Sequence, residues 1–288
     1  MNLNKDLTII IVLHNASDVI FKCLDHLINF NILIVDNGKN DRVIPDFEKY
    51  KNIKKIISKN KNLGFGNGVN YAFSYVKTNF FLVLNPDIII DENSINELFK
   101  ISTENKNCAI SAPYIPTDKD GYGIFPEKGK NVIRNAINKK SCDLLDNLKP
   151  SGNFCVNVTK GCALLINSNH FKNVGMFSSE YFLFWEEVDL CRKILNQKLS
   201  VIVSSKAIAK HAVNTSGKNN LTNFLIRTFY GEKSPLYYFK VNKKSKFIYI
   251  KMLKYLFRST TYFFIFNFKS SLKNLIKFFA LFSYVIFK

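Results

Sequence analysis

The chain has 288 residues, 47% of them apolar. That is enough for one large core or for a domain with an appendage, and it excludes a disordered chain. A formal net charge of +19 admits nucleic acid, anionic lipid or phosphorylated substrates as partners, alongside a plain bias toward Lys, Asn, Ile and Phe of the kind AT-rich genomes impose. The cysteines at 23, 108, 142, 155, 162 and 191 form no C-x-x-C pair. This argues against a zinc or thioredoxin-like site and suits a reducing cytoplasm.

The opening Met1 to Asp6 runs directly into a strand pattern, so no signal peptide is expected. Leu7 to Leu13 is a continuous apolar run, as a strand buried on both faces requires. After the loop His14-Asn15-Ala16-Ser17, the spacing of Ile20, Leu24, Leu27 and Ile28 predicts a helix. Ile32 to Val35 reads as a second buried strand, ending at Asp36-Asn37-Gly38, and Ile53 to Ile57 as a weaker third. Gly66 to Val76 reads as a helix, Phe80 to Leu84 as a fourth strand ending at Asn85-Pro86-Asp87, and Ile95 to Ile101 as a helix. This alternation predicts an α/β fold, a mostly parallel sheet with helices on both faces. Ligands bind such sheets beyond the carboxyl ends of the strands, so Asn15, Asp36 and Asp87 are expected to converge on one crevice. Residues 115–153 carry Gly, Pro, Lys and Asp without periodicity and read as a long mobile loop. Beyond it come a β-like stretch from Val156 to Ile166, a helix from Glu187 to Asn196 and a short strand from Leu199 to Val203.

Several segments carry chemistry. Asp36 at a strand end could accept a hydrogen bond from a nucleobase ring N–H, although Asp-Asn-Gly is equally turn chemistry. Asn62-Leu63-Gly64-Phe65-Gly66-Asn67-Gly68-Val69-Asn70 sets three glycines at alternate positions at a helix mouth, where the backbone can approach a phosphate closely. The spacing is not that of the dinucleotide fingerprint. Asp87 could hold a hard divalent cation through oxygen, or simply belong to a turn. Trp185-Glu186-Glu187-Val188-Asp189 is the densest acidic cluster. Neighbouring carboxylates raise one another's pKa, which favours a general base near neutral pH; acids at a helix N-terminus also complement its dipole. His211 follows Ala207-Ile208-Ala209-Lys210.

In this order and spacing the segments resemble the family-2 inverting glycosyltransferases. The run from Gly161 through Gly175-Met176-Phe177 and Phe182 to Arg192, and on to His211, is similar to the rhamnosyltransferase-like branch that builds bacterial surface polysaccharide. The resemblance covers about residues 7 to 216, with 115–153 poorly matched. It implies a GT-A fold and transfer of a sugar, with inversion, from a nucleoside-diphosphate donor to a saccharide acceptor hydroxyl. The implied sugar is rhamnose from dTDP-rhamnose, with galactosyl or N-acetylglucosaminyl transfer as alternatives. By resemblance Asp36 recognises the nucleobase, and Asn15, Asn62, Gly64, Asn70, Asn85 and Gly161 serve the donor. Asp87 and His211 hold a divalent cation, Mg²⁺ or Mn²⁺. Glu187 is the base with Glu186 as its rival, and Trp185 and Asp189 lie on the acceptor side. Two departures stand out: Asn85-Pro86-Asp87 replaces D-x-D, and Glu187 stands where Asp is more usual.

From Thr222 to Lys288 the composition shifts to many Lys, Arg, Phe and Tyr with a single acid, Glu232. Lys251, Lys254 and Arg258, and again Lys269, Lys273 and Lys277, recur at helical spacing. No apolar run reaches the roughly 18 residues of a transmembrane helix. The expected organisation is a catalytic domain over 1–221 and a basic amphipathic helical tail over 222–288. That tail would meet an anionic membrane surface, making the protein cytoplasmic and peripheral on the inner face of the plasma membrane, with an acceptor that can be lipid-linked. A nucleic-acid-binding module is the competing class, but no recognised motif supports one. An inactive nucleotide-sugar-binding scaffold is the other.

Overall fold

The computed structural model describes residues 6–14, 19–38, 47, 49–57, 61–116, 152–211 and 221–287. Asn15 and residues 117–151 lie outside the described residues, and of Val19, residues 55–57 and His211 only the backbone is described. The chain gathers into two compact units, one of residues 1–179 with 186–216, the other of residues 180–185 with 217–288.

The first unit runs β1 (Leu7–Leu13), α1 (Val19–Leu24), β2 (Asn31–Asp36), β3 (Ile53–Ile57), α2 (Phe65–Phe73), β4 (Phe80–Leu84), β5 (Ile88–Ile90) and α3 (Glu92–Glu104). It continues with β6 (Cys108–Tyr114), β7 (Asn153–Cys155), β8 (Ala163–Asn167), α4 (Ser168–Asn173), α5 (Glu186–Asn196) and β9 (Ser200–His211). Among the described residues the strands form one sheet in the order β3-β2-β1-β4-β8-β6-β9-β5, with β7 paired to β9. The β3-β2-β1-β4 half is parallel throughout. Beyond it β8 runs antiparallel to β4 and β6, β9 is parallel to β6, and β5 and β7 are antiparallel to β9.

The period-2 geometry of a strand explains how helices come to cover both faces. Ile9, Ile11 and Leu13 of β1 pack with Ile20 and Leu24 of α1 and Ile95 and Leu98 of α3. Ile10 and Val12 pack on the other face with Val69 and Ala72 of α2 and Leu190 and Ile194 of α5. Every residue of β1 is buried, which is why its sequence shows a run rather than an alternation. Helix α3 begins three residues earlier than the apolar spacing alone indicates, because the Asp91 carboxylate caps it by accepting the Ser94 N–H at 2.7 Å.

Two expectations change, and two strands appear that were not expected. The stretch from Val156 to Ile166 is not one strand: β7 ends at Cys155 and β8 starts at Ala163, with a turn through Gly161 and Cys162 between them. The strand expected from Leu199 to Val203 is β9, which continues to His211. Ser204, Ser205 and Lys206 end the apolar run there, but the backbone pairs on past a register shift opposite Pro113 and Tyr114. Strands β5 and β6 carry no clear sequence signal, being respectively three residues long and interrupted by Ser111 and Pro113.

The second unit is helical, with α6 (Leu221–Tyr238), α7 (Lys246–Phe264) and α8 (Phe268–Ile286). Helices α7 and α8 make an antiparallel hairpin. Ser259 and Ser271 each donate a hydroxyl to the other's carbonyl, at 2.9 and 2.8 Å, and at the far end Lys243 Nζ donates to the Phe287 carbonyl at 2.7 Å. Leu236, Ile248, Met252, Tyr255, Leu281 and Tyr284 form its core. Inside sits the acid Glu232, ion-paired to Lys251 at 2.5 Å and to Lys277 at 3.5 Å. Residues 180–185 belong here: Phe182 stacks on Tyr230 at 4.5 Å, and Ser234 donates to the Leu183 carbonyl at 2.8 Å. Among the described residues no helix is long and apolar enough to cross a membrane.

Candidate active site

Strands β2 and β3 lie to one side of β1 and β4 to the other. The order reverses at β1, which opens a crevice at the carboxyl ends of these strands. Asp36, the last residue of β2, is buried and accepts the Gly38 N–H at 2.9 Å. Its neighbour Asn37, unremarked in the sequence beyond its turn, is the residue that joins two parts of the site. Its amide donates to the Gly64 carbonyl at 2.8 Å, and its side-chain oxygen accepts the Leu63 N–H at 3.4 Å. Nothing in the order of residues signals this, because the partners lie 27 positions apart.

The glycine segment is built for close approach. Gly64 sits at φ 80 and ψ −176, a region open essentially to glycine alone, and its N–H is held by the Asn62 side chain at 2.9 Å. A Cβ on Gly68 would stand 3.1 Å from Val12 and 3.2 Å from the Asn37 amide. A Cβ on Gly66 would stand 3.0 Å from Phe177 Cβ and 3.4 Å from Glu186 Cβ. The start of α2 is thereby pressed against both the end of β2 and the acidic cluster. Asn70 serves as a strut for this packing, since its amide donates to the Phe177 carbonyl at 2.8 Å and accepts the Phe177 N–H at 3.1 Å.

Asn85-Pro86-Asp87 closes a turn, with the Ile88 N–H bonded to the Asn85 carbonyl at 3.1 Å. The Asn85 N–H is taken by the Cys162 carbonyl at 2.9 Å, which docks the Gly161 turn beside it. Asp87 is buried next to α1, where burial and the Asp87 charge together push the Cys23 thiol up to about 12. In the β5–β9 ladder Ile88 faces His211. The backbone thus brings His211 beside the residue that follows Asp87, across 124 positions of sequence (211 minus 87). Among the described residues no group of three or more His, Cys, Asp or Glu side chains is assembled around a common point.

The acid pair opens α5. Its approach is strained: Phe184 and Trp185 take φ of 67 and 72, which bulky side chains rarely adopt. Trp185, expected toward an acceptor, packs on Tyr238 and Phe239 with ring centroids 5.1 and 5.5 Å away. Glu186 is buried, and its Oε2 has no hydrogen-bond partner among the described residues. Burial, and then the Glu187 charge, push its carboxyl up to about 8. Burial also raises Glu187, opposed by backbone N–H groups at the helix start. Glu187 lies over Gly161, where a Cβ would come within 3.3 Å of its own Cβ. Asp189, the third acid, is committed elsewhere: Ser178 donates to it at 2.5 Å, Arg192 pairs with it, and Lys193 stands 3.7 Å away. Its carboxylate pins the turn before α5.

One chain of contacts therefore links the end of β2, the glycine segment, the Asn85 turn, the Gly161 turn and the acid pair. A family model of glycosyl transferase family 2 matches residues 8–157, just over half the chain. The chain belongs to glycosyl transferase family 2. Among curated relatives it is 24% identical over 206 residues to the low-salt glycan biosynthesis hexosyltransferase Agl10 of Haloferax volcanii, covering 68% of this chain and 64% of that one. It is 24% identical to the N-acetylglucosaminyl-diphospho-decaprenol L-rhamnosyltransferase of Mycobacterium tuberculosis, over 66% of this chain and 69% of that one. It is 25% identical to the rhamnosyltransferase WbbL of Escherichia coli, over 75% and 86% respectively. A solved structure of GalNAc-T7 with UDP, GalNAc and Mn²⁺ superposes with a TM-score of 0.56 at 10% identity, over 72% of this chain and 43% of that one. The mannosyltransferase PcManGT of Pyrobaculum calidifontis, in complex with GDP-Man and Mn²⁺, gives 0.54 at 12% identity over 96% and 73%. The fold is GT-A-like, a mixed central sheet flanked by helices and followed by C-terminal helices.

Proposed function

We propose that this family-2 protein transfers a sugar, with inversion, from a nucleoside-diphosphate donor to a saccharide acceptor hydroxyl. Rhamnose from dTDP-rhamnose is the sugar the reading favours, in the assembly of a bacterial surface polysaccharide. Two relatives named as rhamnosyltransferases support the sugar. The decaprenol in one of those names supports a lipid-linked acceptor, and with it work at an anionic membrane surface on the cytoplasmic side.

The observation that carries the reading is the acid pair at the start of α5, enclosed by Gly66 and Gly161 at the end of the glycine segment and the Asn85 turn. Two adjacent carboxyls removed from water share one charge. Glu186, pushed up to about 8, keeps its proton. We assign to Glu187 the role of accepting the proton of the acceptor hydroxyl as that oxygen attacks the anomeric carbon opposite the diphosphate. Asp36 binds the nucleobase, with Asn62, Gly64 and Asn85 around the donor.

A divalent cation, Mg²⁺ or Mn²⁺, fits beside the diphosphate. Asp87 offers a hard oxygen ligand and His211 stands on the neighbouring strand, so donor oxygens and water would complete the shell, as Mg²⁺ in particular accepts. Such an ion supplies charge stabilisation for the leaving diphosphate. Asp87 and His211 would hold that position while the acid pair handles the proton.

The test is sugar transfer from dTDP-rhamnose and other nucleotide sugars by the wild type and by Glu187→Gln and Glu186→Gln. Glu187→Gln is expected to lower turnover by ~10²–10⁴-fold, the usual worth of a positioned base, with donor affinity little changed. Glu186→Gln is expected to be milder. Near-normal turnover in Glu187→Gln beside an inactive Glu186→Gln would move the base by one residue, and two active variants would remove the pair from the chemistry.

A further inference from the structure

The helical unit carries more exposed apolar surface than its own core explains. Along α7 the buried stripe Ile248, Met252, Tyr255 and Ser259 faces α8. A second apolar stripe, Ile250, Leu253, Phe257 and Phe264, is exposed. At about 100° per residue it lies on roughly the opposite side of the helix. The hairpin's last buried residues are Ser259 and Ser271, and none of residues 260–270 between them is buried. At the turn the surface is almost wholly aromatic and aliphatic: Phe263, Phe264, Ile265, Phe266 and Phe268 are all exposed, Phe264 by 77% and Phe266 by 82%. Isolated exposed apolar residues need no explanation, but a contiguous tip of this kind marks an interaction site.

The charge around the tip selects the partner. Lys254, Arg258, Lys269 and Lys273 are exposed on the two helices that lead to it. The single acid of the region, Glu232, is buried and engaged with Lys251 and Lys277. Among the described residues the outer surface of α7 and α8 therefore presents cations and no carboxylate. A second copy of this chain, docked face to face, would oppose like charges. An anionic bilayer meets both features, taking the rings at the acyl boundary and the cations at the headgroups. Neither helix is apolar enough to span a bilayer, so the contact is interfacial.

We propose that the α7–α8 turn is a lipid-insertion prong, with Phe263, Phe264, Ile265, Phe266 and Phe268 entering an anionic membrane and the flanking Lys and Arg side chains contacting its headgroups. This rests on the membrane partner in the proposed function and names the segment that makes the contact. Full-length protein is sedimented with vesicles of phosphatidylcholine alone and of phosphatidylcholine mixed with phosphatidylglycerol. The wild type is expected to bind the mixed vesicles and to lose binding as salt rises. The Phe264→Ser/Phe266→Ser double variant, with an unchanged melting curve, is expected to bind about tenfold or more weakly, because two large apolar side chains leave the membrane. Phe266→Trp adds a second tryptophan to Trp185, and bromines on the acyl chains are expected to quench its added emission. Equal binding by the double variant with no quenching overturns the prong and leaves the membrane partner standing. A wild type that ignores both vesicle compositions removes both. A dimer by light scattering that the double variant loses, without vesicle binding, gives the surface to a second copy instead.

Discussion

The Glu186 carboxyl makes the stability of the protein depend on pH in a direction opposite to that of an ordinary salt-bridged acid. In the fold, burial and the Glu187 charge raise it from 4.5 to about 8, while the unfolded chain keeps the lower value. Below pH 4.5 the group is neutral in both states and costs nothing. Between about pH 4.5 and 8 the unfolded chain releases the proton and the folded chain retains it, so stability falls as pH rises. At pH 7 the loss is about 3 kcal/mol relative to the acid side of the window, tending to about 5 kcal/mol above pH 8. The shift on Glu187 has the same sign. Glu186→Gln replaces the group by a neutral one of nearly the same shape, and the Oε2 position it alters has no hydrogen bond to lose among the described residues. The variant is expected to melt higher than the wild type at pH 7 to 8, by roughly 6–12 °C for about 3 kcal/mol in a domain of this size, and the gap should close as pH falls toward 4.5. Thermal unfolding of both proteins across this range is the assay. A constant gap, or a wild type that gains stability between pH 5 and 8 relative to Glu186→Gln, would refute a buried neutral Glu186 and the division of roles built on it. A carboxyl kept at such a cost beside a second acid is the kind of local conflict that functional sites retain.

Other outcomes follow from the packing. Asp36→Ala is expected to raise KM for the donor more than it lowers kcat, because a nucleobase contact is nearly the same in the ground and transition states; a fall in kcat at saturating donor with KM unchanged would contradict this. Gly66→Ala is expected to lower both thermal stability and transfer. The added Cβ meets Phe177 at 3.0 Å and Glu186 at 3.4 Å, and overpacking of about 1–3 kcal/mol exceeds the helix-propensity gain of about 1 kcal/mol; a more stable, fully active variant would show that the contact yields freely. Glu232→Gln leaves Lys251 and Lys277 facing each other inside the helical unit. It is expected to destabilise that unit by about 3–5 kcal/mol, the usual cost of breaking one side of a buried ion pair; denaturant unfolding followed by circular dichroism measures it, and a loss under about 1 kcal/mol would place the group in water.

Much of the architecture is legible in residue order. Leu7–Leu13 and Phe80–Leu84 are apolar throughout because both faces of these strands are covered, and burial on two sides writes an unmistakable local pattern. The first four strands, the helices between them and the acids at their ends could be read for this reason. The composition also shifts near Thr222, beyond which the sequence holds a single acid, Glu232.

What tertiary structure alone decided are relations between residues far apart in the chain. The length of β9 depends on pairing past Ser204 and Ser205, which no local preference announces. Asn37 looks like half of a turn until its amide is seen on the Gly64 carbonyl. Gly66 and Gly161 look like flexible punctuation, and only the folded chain shows that each makes room for one carboxyl of the acid pair. Asp189 belongs by sequence to the same cluster, yet Ser178, Arg192 and Lys193 draw it away from the pair. Residue type and spacing determine which groups can do chemistry, because secondary structure and burial are written locally. Which carboxyl loses its water, and which finds a cation, is set by neighbours that arrive from other strands and helices, and that information exists only once the chain has folded.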